Sequence, residues 1–309
     1  MTRITIVGAG TSAPQPDTPA SGILVETAST AVLVDCGQGV VRSLMERRDP
    51  RGLDAIIIGH MHADHYIDIV SLRYLLPWDG FTGRRMPIHV PPGGRERIDR
   101  LARAISERDG FFDHTFEVIE YDPATAIEIG DLRVAFIAGR HYVPAWGCEI
   151  TDRARHRIVI SGDTGPSDAL VDAARGADVF IPEATLLTAV EDDPSRGHLT
   201  VEEALDHGAR AGAGVTVLVH HRPQNRAAIE QACRARANCV VGVPGLTIEL
   251  DGSNHVLGGD GASSSAVAGA ESAGDGLAGS AIGGDGQAAG PAGEDPGGIA
   301  SSASRARRR

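Results

Sequence analysis

The sequence predicts an α/β domain over residues 1–251, followed by a tail without a core of its own. Two observations carry this. Short β-rich runs alternate with helical patterns as far as residue 251, the mark of mixed sheet and helix layers. From Gly252 the composition turns to Gly, Ala, Ser and Asp, with almost no large apolar residue, and closes on Arg305-Ala-Arg-Arg-Arg309. Such a segment cannot bury enough surface to offset its ordering entropy, so 252–309 reads as a disordered tail. The 309 residues, 42% of them hydrophobic, suffice for one large domain or at most two.

The elements follow in order. Runs 4–7, 23–25, 31–34 and 55–58 are short and rich in β-branched residues, and read as strands. Residues 40–47 and 67–76 carry helical spacing. Later strands fall at 87–90, 132–137, 157–160, 179–181 and 215–219, and helices at 166–175, 201–211 and 224–235, with Thr200 ahead of His198 as the cap of the helix starting near Val201. Gly8-Ala-Gly10-Thr-Ser12 follows the first strand, but Pro14, Pro16 and Pro19 come next in place of a helix. It lacks the third glycine and the lysine of a phosphate loop, so it reads as a turn.

The formal net charge of −12 disfavours a duplex-binding protein, because an acidic surface repels long phosphate backbones. No apolar run is long enough to cross a bilayer. The first residues enter a strand directly, without the features of a signal peptide, and the expected location is cytoplasmic. Cys36, Cys148, Cys233 and Cys239 form no Cys-x-x-Cys pair and are expected to be reduced core residues.

The chemistry concentrates in Ile58-Gly-His60-Met-His62-Ala-Asp64-His65, directly after an apolar strand. At a strand end residues two apart project to one side, so His60 and His62 can face one ion. The chain must then turn, which lets Asp64 and His65 face a neighbouring point. Three imidazoles and a carboxylate within six positions suit a borderline metal such as zinc and would be costly in a core without an ion.

This His-x-His-x-Asp-His segment resembles the metallo-β-lactamase superfamily, and the resemblance spans about residues 1–250. It implies an αββα sandwich with the site at one edge, between two sheets. Val34-Asp35-Cys-Gly-Gln-Gly39 resembles the early Asp-x-Gly turn, which implies that Asp35 orients a ligand imidazole. His141 matches the next ligand position, Asp163 in Ser161-Gly-Asp-Thr164 the bridging carboxylate, and His220 in Leu218-Val-His-His-Arg-Pro223 the last ligand, with His221 the adjacent alternative. The implied cofactors are two divalent ions, zinc first, with manganese or iron compatible. One ion takes His60, His62 and His141; the other takes Asp64, His65 and His220; Asp163 bridges them. Attack by a hydroxide shared by the ions is implied, with Asp64 orienting it or accepting its proton.

Pro182-Glu183-Ala-Thr185 and His198-Leu-Thr200 resemble signatures of the ribonuclease Z-like phosphodiesterases, in which the histidine, held by the glutamate, assists the leaving group. The transfer RNA-gripping arm of that group has no counterpart: only Thr151-Asp-Arg-Ala-Arg-His-Arg-Ile-Val-Ile160 fills the gap, a short hairpin. The nearest resemblance is therefore to arm-less members, among them the atypical class II cyclic-nucleotide phosphodiesterases. The expected function is hydrolysis of a cyclic nucleotide or other small phosphodiester, with Asp64, Glu183 and His198 as catalytic residues. Three alternatives stand beside it: a lactonase, thioesterase or other ester hydrolase of the same fold; RNA processing, with nucleic acid a less favoured partner; and a non-catalytic metal-binding module. No membrane partner is expected, and a homodimer is compatible with the family. Tyr142, Trp146, Trp78, Phe111 and Phe112 are candidates for stacking on a base, with simple packing the more ordinary role. His89, His114, His156, His207 and His255 have no partner motif and are expected at the surface or in packing.

Overall fold

In the computed structural model, which describes residues 1–76, 85–189, 195–251 and the strand at 255–257, the alternating runs assemble into two mixed sheets flanked by helices. The strands are β1 (Thr2–Gly8), β2 (Gly22–Glu26), β3 (Ala31–Val34), β4 (Ala55–Ile57), β5 (Met86–Val90), β6 (Phe116–Glu120), β7 (Ile127–Ile129), β8 (Leu132–Ala138), β9 (Trp146–Thr151), β10 (Arg157–Ile160), β11 (Val179–Ile181), β12 (Val215–Leu218), β13 (Cys239–Val241), β14 (Thr247–Leu250) and β15 (His255–Leu257). The helices are α1 (Val40–Met45), α2 (Ala63–Tyr66), α3 (Ile69–Leu75), α4 (Gly94–Ile105), α5 (Asp168–Ala173), α6 (Val201–Ala211) and α7 (Arg226–Arg234). Among the described residues, one sheet runs β15-β14-β1-β2-β3-β4-β5-β6 and the other β13-β12-β11-β10-β9-β8-β7.

Side-chain alternation sorts the core into layers. Ile4, Ile6, Ile23, Val25, Val34 and Ile57 of the first sheet join Val134, Ile150, Ile158, Ile160, Ile181 and Val217 of the second in one buried cluster between the sheets. The alternate residues Leu24, Leu33, Ile56 and Ile88 turn to the opposite face and pack with Leu44, Ile69, Leu72 and Ile98 of α1, α3 and α4. On the outer side of the second sheet, Val159 and Phe180 meet Leu170 and Val171 of α5, while Leu218 meets Leu205 of α6 and Ile229 of α7. The result is the αββα sandwich.

Strands β3–β4–β5–β6 are mutually parallel, as are β10–β11–β12–β13. Parallel strands bring their carboxyl ends to one edge, where side chains from successive loops meet. α6 starts at Thr200 in a complete capping box: the Thr200 hydroxyl accepts from the Glu203 N–H, and the Glu203 carboxylate accepts from the Thr200 N–H.

The structure departs from the sequence reading in several places. The helix expected over 67–76 is preceded by a separate turn, α2, so the chain bends at Ile67 and Asp68. α4 escapes the sequence reading because Gly94 and Ile98 are its only buried residues and the rest of it is rich in arginine. β15 lies within the stretch assigned to the tail, paired antiparallel with β14. Residues 258–309, Trp78 and the side chain of His255 lie outside the described residues. Cys36 and Cys148 are free and buried as expected, but Cys233 and Cys239 form a disulfide. The chain reverses between α7 and β13, bringing their Cα atoms to 4.9 Å, which a six-residue spacing alone does not announce. Among the described residues no helix is long and apolar enough to cross a membrane.

Candidate metal centre

The loop after β4 is clamped from both sheets. The Gly59 N–H donates to Asp35 Oδ1 (3.0 Å), and its carbonyl accepts from the Trp146 N–H (3.1 Å) of β9. Only glycine permits this approach: a Cβ on residue 59 would lie 2.6 Å from the Trp146 carbonyl oxygen. His60 bridges to Ala145, and His62, still extended, leads into the single turn α2, which swings Asp64 and His65 back toward the same point.

Seven of the predicted side chains converge. His60, His62, His141 and Asp163 form one group, and Asp64, His65 and His220 another, with potential ligand atoms within 4.8 Å of one another in each. The Nε2 atoms of His60 and His141 lie 3.1 and 3.0 Å from His62 Nδ1. Asp163 Oδ2 is 3.7 Å from His60 Nε2, 3.8 Å from His141 Nε2 and 3.5 Å from His65 Nε2, and its Oδ1 is 3.5 Å from His220 Nε2. Asp64 Oδ2 is 3.3 Å from His220 Nε2. Asp163 thus stands between the two groups.

The donor set fits divalent cations. His65 Nδ1 is 2.7 Å from Asp35 Oδ2, so its proton faces Asp35 and the lone pair sits on Nε2; among the described residues that buried nitrogen has no hydrogen-bond partner. His141 Nδ1 likewise donates to the Gly197 carbonyl (2.7 Å), leaving Nε2 toward the cluster. Burial pushes His60, His62 and His141 below the ordinary histidine range, the state in which an imidazole offers a lone pair. Burial opposes ionisation of Asp163, yet the imidazoles of His220 and His65 outweigh it and hold the carboxyl well below the usual range. Burial also opposes a charged His65, and the carboxylates of Asp163 and Asp35 override it, holding its proton affinity well above the ordinary value. The Asp163 and Asp35 carboxylates that favour positive charge at this point favour a metal cation for the same reason.

Two of the three described non-glycine residues with positive φ belong to this centre, Asp35 (62°) and His220 (53°). Backbone held there costs about 1–3 kcal/mol per residue. At Asp35 it aims a carboxylate that accepts from Ser21, Gly59 and His65. At His220 it decides between neighbours: His220 turns into the cluster, its Nδ1 2.8 Å from Thr185 Oγ1, while His221 Nε2 bonds the Gly242 carbonyl (3.0 Å).

Beside this cluster, His198 Nδ1 lies 2.9 Å from Glu183 Oε1 and 4.0 Å from Asp163 Oδ2, and its ring stacks at 5.8 Å on His220. Glu183 is fully built in, accepting from the Thr164 N–H, the Thr185 N–H and the Thr185 hydroxyl. Burial lowers the proton affinity of His198, and the bond and charge of Glu183 more than restore it. The sequence reading missed the support behind His198. Arg196 donates to the His198 carbonyl (2.7 Å) and forks onto Glu203 (2.6 and 2.8 Å). An Arg seven residues before a capping-box Glu was the available signal.

Of the stacking candidates, Phe111 and Phe112 are core residues and Trp146 packs edge-on to Tyr121. Tyr142 stays exposed at the rim. His207 accepts from the Ser167 N–H and His156 pairs with Asp152, both away from the cluster.

Residues 30–221 match the β-lactamase superfamily domain. The chain belongs to the β-lactamase superfamily. It is 35% identical over 231 residues to an uncharacterised protein of Mycobacterium leprae, covering 72% of this chain and 78% of that protein. It is 30% identical over 258 residues to ribonuclease Z of Mycobacterium bovis, covering 77% and 92%. The crystal structure of YhfI from Bacillus subtilis shares the fold, with a TM-score of 0.68 at 24% identity, covering 81% of this chain and all of that one. Fold, family and His/Asp cluster together make this superfamily member a metallo-hydrolase.

Proposed function

We propose that this superfamily member is a dinuclear phosphodiesterase acting on a cyclic nucleotide or other small phosphodiester. The observation that carries the reading is the Glu183–His198 pair set against Asp163, a proton donor held beside the metal ligands. His60, His62 and His141 would hold one ion and Asp64, His65 and His220 the other, with Asp163 between them. The ions, zinc first on the ligand types, would supply neutralisation of the phosphate charge and activation of an attacking water near neutral pH.

The remaining work falls to the chain's own residues. His198 keeps its Nδ1 proton on Glu183, so its Nε2 is the atom that can protonate a departing alkoxide or stabilise charge on the phosphorus centre. Its raised proton affinity favours the protonated form that this role requires. Asp64, held below the ordinary carboxylate range by its bond to His220 against the opposing pull of burial, stays ionised to orient the nucleophile or accept its proton.

Ribonuclease Z, a relative at 30% identity, is by name a hydrolase of RNA phosphodiesters, which supports this bond class. The connection between β9 and β10 supports a small substrate over transfer RNA. It is the five-residue turn 152–156, closed by the Asp152 carboxylate accepting from the His156 N–H (2.9 Å). The test is hydrolysis of 3′,5′-cyclic AMP and bis(p-nitrophenyl) phosphate by protein of known metal content, beside Asp163→Ala and His198→Ala. Cleavage of both by wild type, none by Asp163→Ala and slow cleavage by metal-loaded His198→Ala is expected. A metal-loaded wild type that cleaves a lactone or thioester but neither phosphodiester overturns the reading.

A further inference from the structure

Tyr142 is 63% exposed, and its position is not that of a casual surface aromatic. Its ring centre lies 5.0 Å from His141 and 5.8 Å from His198, one a member of the metal cluster and the other the partner of Glu183. The ring is seated on Gly197, where a Cβ would come within 3.0 Å of Tyr142 Cε2 and 2.9 Å of His141 Nδ1. The same glycine accepts the His141 Nδ1 proton through its carbonyl. Gly197 therefore leaves the room in which the rim ring and a cluster imidazole sit side by side, and its carbonyl holds the imidazole.

A substituent leaving on the His198 side would emerge beside this ring, whose centre is 5.8 Å from that of His198. An exposed aromatic face there offers a planar group a stacking surface worth about 1–3 kcal/mol per base, independent of base identity. Trp146, Phe111 and Phe112 are taken up in packing, so among the described aromatic candidates Tyr142 is the one presented at this rim.

Building on the phosphodiesterase reading, we infer that Tyr142 is a specificity-determining residue that stacks on the nucleobase of a nucleotide substrate. The site thereby selects nucleotide phosphodiesters over base-free ones. The test uses full-length zinc-loaded protein and calorimetric affinities for 5′-AMP and ribose 5-phosphate, whose ratio isolates the base. Wild type and Tyr142→Phe are expected to bind 5′-AMP about 5- to 150-fold more tightly than ribose 5-phosphate. Tyr142→Ala and the apolar but non-planar Tyr142→Leu are expected to bring the ratio close to one with metal content retained. A wild-type ratio near one overturns the inference, as does a wild-type ratio kept by both non-aromatic variants. Turnover of 3′,5′-cyclic AMP in the same preparations is a separate readout. Its failure removes the phosphodiesterase reading, whereas the affinity ratio alone decides Tyr142.

Discussion

Replacing Asp35 by Asn removes one charge and no volume, and its effect can be worked from the hydrogen bonds. The carboxylate accepts from the Ser21 hydroxyl (2.9 Å), the Gly59 N–H (3.0 Å) and His65 Nδ1 (2.7 Å). Asn tolerates the left-handed backbone at this position, so φ is not the variable. Its amide can still accept from Gly59 through Oδ1, but Nδ2 then points a donor at the two partners of Oδ2. His65 relieves that conflict by moving its proton to Nε2, the nitrogen the cluster needs as a lone pair. The lost charge-assisted bond is worth about 1.5–3 kcal/mol, or about 10- to 150-fold in an equilibrium constant. Substitutions behind metal ligands weaken affinity by about 10- to 100-fold, so the two routes agree. The assay is chelator competition for zinc on wild type and Asp35→Asn, with circular dichroism confirming the fold. Zinc affinity within threefold of wild type would refute the tautomer argument.

Three further outcomes follow from the same geometry. His198→Ala should lose about 10²- to 10⁴-fold in kcat on phosphodiesters while retaining its metal, as steady-state kinetics beside elemental analysis would show. Glu203 is held down to about 2, burial opposing and the Arg196 fork and Thr200 N–H prevailing. With the folded value depressed, its stabilisation is full above the unfolded value near 4.5 and is lost as pH falls toward 2. The linkage is about 3 kcal/mol, cut by solvent screening of a side chain 29% exposed to about 1–2 kcal/mol. Urea unfolding should show this difference between wild type and Glu203→Gln at pH 6 and a smaller one at pH 3. Gly59→Ala should cost about 1–3 kcal/mol, because the new methyl meets a backbone oxygen that cannot rotate away. Thermal melts equal to wild type would show that the loop has room.

The strands were legible where apolar β-branched residues run together; β9, Trp146–Thr151, is buried in part but interrupted by Gly147 and Glu149, and was not read. β10 and β11 coincide with the runs read from sequence because every core-facing residue in them is apolar and β-branched or aromatic. β13 was invisible: it is three residues long, half-buried and at a sheet edge. In the site, clustered histidines announced a metal, since no core tolerates that density of imidazole without a reason. The sequence left His220 and His221 unresolved because what separates them is the sign of φ at a residue type that gives no hint of it. Arg196 was overlooked because its contact with His198 runs through a backbone carbonyl, leaving only its spacing to Glu203 as a signal.

His60, His62, Asp64 and His65 arrive on a loop of the first sheet, whereas His141, Asp163 and His220 follow strands of the second. The His60 group and the Asp64 group of potential ligands each draw on both halves of the sandwich. A cation seated there is a tie-beam between the two halves, so loading the cofactor and closing the sandwich along this edge become one equilibrium. Removing the ion would then loosen this edge as well as stop the chemistry.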